Sequence, residues 1–148
     1  MSLHLQRLDE RVAVSGQLTP ADMKDVAAAG YVAIVNNRPD REALFGQPRT
    51  AELKEAAEEA GLVFLDLPFS GPNVHPEQID AFLHLLAERD GKILAYCKSG
   101  LRSALMWGVA SMVGGKSLEQ VLDAARRAGQ NLDSAGASMT ALAAQVGG

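Results

Sequence analysis

The segment YCKSGLRSALMWG, residues 96 to 108, contains the chain's one cysteine, Cys97, and surrounds it with residues suited to nucleophilic chemistry. Cys97 follows the apolar stretch KILAY and precedes a glycine, an arginine and a helical pattern. The N-terminus of a helix presents free N–H groups and partial positive charge, which attract anions. Gly100 lets the backbone bend so that N–H groups face a ligand, and Arg102 adds a planar fork for two oxygens. The spacing predicts an oxyanion-binding loop with a nucleophilic sulfur.

A second interpretation of Cys97 is a packed and unreactive thiol, because free cysteines are among the most buried residues in proteins. The surrounding sequence favours the reactive interpretation, since strand, cysteine, glycine, arginine and helix follow one another in the order that an anion site needs. A helix N-terminus and a neighbouring arginine both favour the thiolate over the thiol. We therefore predict that Cys97 is a nucleophile at neutral pH.

Strand patterns and helix patterns alternate along the chain. The predicted elements include strands at 31–36, 62–67 and 92–96 and helices at 77–89 and from Ser103 to Gly114. The strands are continuous apolar stretches, and the helices carry apolar residues at helical spacing. This alternation predicts an α/β fold with a mainly parallel central sheet flanked by helices. In open sheets of this class ligands bind beyond the carboxyl ends of the strands, which is where Cys97 lies.

Length, charge and composition limit the classes of function. The 148 residues suit one domain, predicted to span 1–148, and the net charge of −4 argues against a general nucleic-acid binder. No apolar run reaches the length of about 18 residues that a membrane span needs, and the first residues lack a signal-peptide pattern. A lone cysteine suits a reducing compartment, so a cytoplasmic location is predicted. Three scattered histidines and one cysteine make no zinc pattern, so neither a metal nor a cofactor is expected.

The loop YCKSGLRSA resembles the active loop of two cysteine-dependent groups, rhodanese-like sulfurtransferases and protein tyrosine phosphatases. Over about residues 8 to 113, three stretches in order resemble the phosphatase-like domain of the beta-lactamase hydrolase-like family, the DUF442 group. These stretches are VAVSGQLTPADMKDVAAAGYVAIVNNRPDRE, VFLDLPFSGPNVHPEQIDAFLHLL and ILAYCKSGLRSALMWG. The resemblance implies a single-domain protein-tyrosine-phosphatase-like fold, related to the dual-specificity phosphatases.

The resemblance also implies roles for the residues of the loop. Cys97 would be the nucleophile, and Arg102 would hold the oxyanion. Ser103 occupies the position where such loops keep a hydroxyl near the sulfur. The substrate-binding residues implied between the cysteine and the arginine are Lys98, Ser99, Gly100 and Leu101. The expected partner is a small oxyanion or a phosphorylated substrate.

Three features depart from the tyrosine phosphatase pattern. Four residues separate Cys97 from Arg102, one fewer than in most such phosphatases, and this shorter loop is the length seen in sulfurtransferases. Tyr96 stands where phosphatases commonly have a histidine. The loop PFSGPNVHP at 68–76, where the resemblance implies an aspartic general acid, contains no carboxylate.

Three further residues are candidates for the site. Asp66, at the end of a predicted strand, is the nearest candidate acid or an ordinary strand-end carboxylate. His75 lies in the expected loop and can titrate near neutral pH, or it merely precedes the helix that follows. Arg38 follows a strand and either rims the pocket or belongs to a surface turn.

The residues and the resemblance together support three functions. The first is cysteine-dependent hydrolysis of phosphate esters. The second is sulfur transfer by a rhodanese-like mechanism with a persulfide on Cys97, which needs no general acid and suits the shorter loop. The third is a non-catalytic module that binds oxyanions or a partner, which the missing acid keeps open.

Overall fold

The structure of the chain is a computed structural model that describes residues 3–71 and 73–147. The strands are β1 (Gln6–Arg7), β2 (Val12–Ser15), β3 (Tyr31–Asn36), β4 (Val63–Asp66) and β5 (Lys92–Tyr96). The helices are α1 (Asp22–Ala28), α2 (Thr50–Glu59), α3 (Pro76–Glu88), α4 (Leu101–Val113), α5 (Leu118–Ala128) and α6 (Gly136–Gly147). A short 3-10 helix, Asp133–Ala135, connects α5 to α6.

The five strands form one sheet in the order β1-β2-β5-β3-β4. Strands β2 to β5 are parallel, and β1 lies antiparallel to β2 at one edge. The mainly parallel sheet confirms the predicted fold class. Strand β1 was not predicted, because a pair of residues is too short to show an alternating pattern. Asn36 pairs in register with both Asp66 and Tyr96, so the ends of β3, β4 and β5 lie side by side.

Side chains along each strand alternate between two buried layers. One face of the sheet, which includes Val35 and Ala95, packs against α3, α4, α5 and α6. The other face, which includes Ile34 and Tyr96, packs against α1 and α2. By this alternation the side chain of Asn36 projects toward the layer of α1 and α2, and that of Asn37 projects toward α4.

Helix α4 is the central helix of the larger layer, and every residue from 103 to 110 is buried. Gly108 is needed for close packing, because a Cβ there would lie 3.0 Å from both Met139 of α6 and Val121 of α5. The helix begins at Leu101, two residues before the predicted start at Ser103. The earlier start places Arg102 in the first turn of the helix. Within the described part of the chain, no helix is long and apolar enough to cross a membrane.

Candidate functional site

The Cys97 loop, residues 97–100, connects β5 to α4 at the carboxyl end of the sheet. Cys97 is only 1% exposed, and its Sγ accepts a hydrogen bond from the backbone N–H of Gly100 at 3.0 Å. The backbone N–H of Cys97 donates to the carbonyl of Ser15 in β2 at 3.2 Å. Gly100 has a φ of 93°, in the left-handed region that favours glycine. The sulfur is therefore held at the amino end of α4, where the helix dipole favours negative charge.

Two carbonyl groups of the Cys97 loop, those of Lys98 and Ser99, face neighbouring segments of the chain. The Ser99 carbonyl accepts a hydrogen bond from Nε2 of Gln130 at 3.1 Å. The Lys98 carbonyl packs so closely on Gly16 that a Cβ at Gly16 would lie 2.9 Å from its oxygen. In a trans peptide the N–H points opposite to the C=O of the same unit. The Gly100 N–H, which follows the Ser99 carbonyl, therefore points inward and donates to the sulfur, and the Ser99 N–H, which follows the Lys98 carbonyl, points away from Gly16.

Arg102 is held end-on by a carboxylate from the loop after β3. Its Nη1 donates to Oε2 of Glu42 at 2.6 Å, and its Nη2 donates to Oε1 at 2.8 Å. Nη1 also donates to the carbonyl of Phe69 at 3.0 Å, and Nε of Arg38 donates to Oε1 of Glu42 at 2.9 Å. The hydrogen bond from Arg102, joined by that from Arg38, lowers the pKa of Glu42 to about 2 despite partial burial. Glu42 in turn raises the pKa of Arg102, so both groups stay charged.

This arrangement leaves one edge of the Arg102 guanidinium open. Each terminal nitrogen carries two N–H donors and Nε carries one. Glu42 accepts one from each terminal nitrogen, and Phe69 accepts the second from Nη1. Within residues 3–71 and 73–147, Nε–H and the second N–H of Nη2 donate to no oxygen or nitrogen atom. These two donors form a fork that matches two oxygens of an oxyanion. Cys97 also contributes to the raised pKa of Arg102, which indicates that the sulfur lies near the guanidinium.

Ser103 is buried, and its hydroxyl is engaged away from the sulfur. Its Oγ donates to Oδ1 of Asn37 at 2.7 Å, and Nδ2 of Asn37 donates to the carbonyl of Leu67 at 3.0 Å. Both polar side chains are fully buried and hydrogen-bonded. Ser103 therefore ties the first turn of α4 to the segments that follow β3 and β4. The hydroxyl hydrogen is not directed at Cys97, although the resemblance implied a hydroxyl near the sulfur.

Asp66 and His75 lie outside this group of contacts. Oδ1 of Asp66 accepts a hydrogen bond from Nδ2 of Asn36 at 2.8 Å, on the sheet face of α1 and α2. His75 is exposed, and its backbone N–H donates to Oε1 of Gln78 at 3.0 Å at the start of α3. Among the described residues, neither side chain forms a hydrogen bond with the Cys97 loop or with Arg102. Asp66 is thus engaged on the opposite face of the sheet, and His75 lies at the surface at the start of α3.

Tyr96, which stands in place of a histidine, turns away from the loop. Its ring packs in the layer of α1 and α2. Its hydroxyl is buried and has no hydrogen-bond partner within the described chain. Burial is the main cause that raises the pKa of Tyr96, and the negative charges of Asp66 and Asp40 add to it. Tyr96 therefore acts as a core residue beneath the site.

Arg38 reaches the site only through Glu42. It is 6% exposed, and besides its bond to Glu42 its Nη1 donates to Oε1 of Gln17 at 3.0 Å. Arg38 thus supports the carboxylate that holds Arg102, and it does not rim the pocket as a free cation.

The side chains of Lys98 and Ser99 in the Cys97 loop are exposed.

Sequence reasoning missed three residues of the site, namely Glu42, Asn37 and Gln130. Glu42 could have been predicted from the sequence, because it lies in the same polar turn after β3 as Arg38, which was a candidate site residue. Asn37 lies in the same turn but gave no signal of its own, and Gln130 is a single amide outside any motif. A pattern scan finds residues that are close in sequence, and these side chains meet the Cys97 loop or α4 only through the fold.

Several apolar side chains line a cleft beside Arg102. A cleft of about 360 Å³ is lined by Gly71, Leu101, Arg102, Leu105, Asn131, Leu132, Ser134 and Ala135. Leu44 and Phe45, in the loop that carries Glu42, are 89% and 86% exposed, and Leu101 is 45% exposed. If the anionic group of a substrate binds Arg102, the remaining part of that substrate would therefore lie beside apolar side chains.

The described residues include no group of three or more His, Cys, Asp or Glu side chains that could hold a metal ion.

Comparison with known proteins adds a family to this geometry. The model of the family "Beta-lactamase hydrolase-like protein, phosphatase-like domain" matches residues 4–114. A beta-lactamase hydrolase-like protein of Agrobacterium fabrum is 36% identical over 110 residues, which are 74% of this chain and 25% of that protein. One from Xylella fastidiosa is 32% identical over 79% of this chain and 27% of its own length. The chain thus spans about a quarter of the length of these curated relatives.

Solved structures share the fold. The crystal structure of a candidate phosphatase from Neisseria meningitidis superposes with a TM-score of 0.82 at 31% identity, covering 95% of this chain and 99% of that one. Tk-PTP in its active form superposes with a TM-score of 0.75 at 23% identity, covering 99% of this chain and 98% of that one. Together with the sheet and helices described above, these likenesses show a protein-tyrosine-phosphatase-like fold.

Proposed function

Because the chain belongs to the family of the beta-lactamase hydrolase-like protein, phosphatase-like domain, we propose that it hydrolyses phosphate monoesters with Cys97 as the nucleophile. The observation that carries this proposal is the meeting of three groups at the start of α4. These are the Cys97 sulfur, the Gly100 N–H that donates to it, and the open edge of Arg102. A thiolate, an inward amide and a guanidinium fork are what phosphoryl transfer to sulfur requires.

The proposed reaction has two steps. In the first, the Cys97 thiolate attacks phosphorus, the S–P bond forms, and the bond to the leaving oxygen breaks with its electron pair on that oxygen. Loop N–H groups and Arg102 hold the non-bridging oxygens as charge shifts among them. In the second, water attacks phosphorus and gives up a proton to solvent, the S–P bond breaks, and phosphate and the thiolate are released.

No general acid belongs to this proposal, because Asp66 bonds Asn36 on the other face of the sheet, and among the described residues no hydrogen bond joins the exposed His75 to the Cys97 loop or to Arg102. The leaving oxygen then departs as an anion, so aryl phosphates with acidic phenols should react and alkyl phosphates hardly at all. A well-placed acid contributes ~10²–10⁴-fold, which is the expected deficit on alkyl esters. Asp66→Asn and His75→Gln should leave both rates unchanged. A loss in that range on alkyl esters alone, from either variant, would identify that residue as the acid.

Sulfur transfer is the second candidate, and the four-residue spacing between Cys97 and Arg102 favours it. The Cys97 thiolate would attack the outer sulfur of thiosulfate, so that an S–S bond forms while the bond to the departing sulfite breaks. Cyanide would then take the outer sulfur as thiocyanate and regenerate the thiolate. Neither step needs a proton donor. This suits the site, because Glu42, the carboxylate that bonds Arg102, stays ionised and is not a proton donor.

The deciding experiment compares the two chemistries side by side. The wild-type protein and Cys97→Ser are assayed with an activated aryl phosphate, and with thiosulfate followed by cyanide. We expect phosphate release from the aryl ester that Cys97→Ser abolishes. If no ester reacts and mass spectrometry finds Cys97 heavier by one sulfur atom after thiosulfate, sulfur transfer replaces the proposal. If Cys97→Ser changes neither assay, the site is a binding module.

A further inference from the structure

We propose that Gln130 is a positioning residue that fixes the Ser99–Gly100 peptide with its N–H directed toward the sulfur and an incoming oxyanion. Gln130 follows α5 and lies outside residues 4–114, the part of the chain that matches the family. It is 7% exposed although it is a polar residue. Only the kinetic readout below rests on the proposed function.

The amide of Gln130 is fully used as a donor. Its Nε2 donates to the carbonyl of Ser99 at 3.1 Å and to Oε1 of Gln6 in β1. A carbonyl oxygen can only accept, so the nitrogen of the Gln130 amide must face Ser99. Gln6 accepts the other hydrogen and thereby fixes the orientation of the amide. The first strand and the segment after α5 thus meet over the Cys97 loop.

The peptide that Gln130 holds is the one that carries the Gly100 N–H. Because C=O and N–H of a trans peptide point in opposite directions, holding the Ser99 oxygen outside directs the Gly100 N–H inward. That N–H donates to Sγ of Cys97 at 3.0 Å. A flip of this peptide would turn a carbonyl oxygen toward the thiolate and toward any bound anion. Glycine tolerates either sign of φ, so Gly100 does not by itself choose between the two orientations.

Gln130 also packs directly against the loop. A Cβ built on Gly100 would lie 2.7 Å from Nε2 of Gln130 and 3.3 Å from Oε1 of Gln6. The two amides therefore cover the outer side of the loop, while the inner side faces Cys97. In this arrangement a side chain from just after α5 controls a donor of the oxyanion site without touching the substrate.

Two variants and one control test the proposal. Gln130→Glu keeps the size of the side chain but puts a carboxylate against the Ser99 carbonyl, and Gln130→Met keeps the length without a donor. Gln145→Glu makes the same charge change at an exposed position of α6. The readouts are the pH midpoint of Cys97 alkylation, the affinity for sulfate by calorimetry, and kcat and KM on an aryl phosphate.

We expect both Gln130 variants to raise the alkylation midpoint and to weaken sulfate binding by about 3- to 10-fold, the range of one hydrogen bond, while Gln145→Glu changes neither. If the Glu variant does not fold, the Met variant decides. Unchanged midpoint and sulfate affinity in a folded Gln130 variant would overturn the proposal, even if its thermal stability fell. If the wild type hydrolyses no ester, alkylation and sulfate binding still decide, so failure of the proposed function is a separate result.

Discussion

At the scale of single residues, Arg102 combines two tasks that need different parts of its guanidinium. The terminal nitrogens bond Glu42 and the carbonyl of Phe69, and the edge formed by Nε and Nη2 stays open. A lysine could supply the charge but not both contacts, because its ammonium lacks the planar fork. Glu42 thus determines which way the open edge of the Arg102 guanidinium faces.

Replacing Glu42 by glutamine should loosen Arg102. We expect Glu42→Gln to raise KM on an aryl phosphate by about 3- to 10-fold, as for loss of one charge-assisted hydrogen bond, with a smaller effect on kcat. Glu42→Asp, which keeps the charge, should recover part of the loss. Steady-state kinetics of the three proteins checks this. An unchanged KM in Glu42→Gln would mean that Arg102 keeps its orientation without the charge on Glu42.

The same variant should change how stability depends on pH. The pKa of Glu42 is lowered to about 2 from an ordinary value of 4.5. A lowered pKa adds stability above the ordinary value, and that stability is lost as the pH falls toward 2. Urea unfolding should therefore show that the wild type exceeds Glu42→Gln at pH 7 and that the difference shrinks by pH 3. A constant difference across this range would contradict the ion pair.

Cys97 should depend on Arg102 for its reactivity, because the start of α4 and Arg102 both favour the negative sulfur. We expect Arg102→Ala to slow the alkylation of Cys97 at pH 7, whereas Arg126→Ala, a matched change at an exposed arginine of α5, should not. Alkylation kinetics of the three proteins checks this, and a rate that Arg102→Ala leaves unchanged would indicate a packed, unreactive cysteine.

At the scale of elements, the position of the Cys97 loop depends on the end of β2 as much as on β5. The Ser15 carbonyl accepts the Cys97 N–H, and the next residue, Gly16, lies against the Lys98 carbonyl. A side chain at Gly16 would press on backbone, which cannot swing aside as a flexible side chain does. Strand β2, which pairs in parallel with β5, therefore limits how closely the Cys97 loop can approach the sheet.

Gly16→Ala tests this contact with the smallest possible change. Because the added Cβ would lie 2.9 Å from the Lys98 oxygen, we expect a destabilisation of about 1–3 kcal/mol and a clear loss of aryl phosphatase activity. Gly114→Ala is the control, since its Cβ would come no closer than 3.4 Å to its neighbours, at the other end of α4. Equal effects in the two variants, measured by urea unfolding and kinetics, would contradict a specific role for Gly16.

The sequence predicted the elements whose signals are local. KILAY is a continuous apolar strand, and Cys97, Gly100 and Arg102 lie within a few positions of one another, so both the loop and its strand could be predicted. The contact of Arg102 with Glu42 spans 60 positions and that of Ser103 with Asn37 spans 66. Such pairs are set by the order of strands in the sheet, which a single sequence does not display.

At the scale of the whole molecule, the site depends on helices beyond the family-matched segment. Gln130 lies on the Cys97 loop, and Val121 and Met139 pack against Gly108 of α4. The buried layer around α4 is therefore completed only by α5 and α6. The part of the chain that carries Cys97 does not enclose its own core.

A chain that ends at Gly114 should accordingly lose the fold. We expect it to unfold without a cooperative thermal transition, because the apolar face of α4 would be exposed to water. Its Cys97 should then be alkylated like a free thiol. Calorimetry and limited proteolysis beside the 148-residue chain check this, and a sharp transition in the shortened chain would show that α5 and α6 are dispensable.

The end-on contact of Arg102 with Glu42 also has an entropic consequence. An arginine side chain carries about 2 kcal/mol of rotamer entropy, which is lost when the side chain is ordered. Here Glu42 and Phe69 order the guanidinium as the chain folds, before any anion arrives. That loss therefore lowers the stability of the fold and does not weaken the binding of the anion.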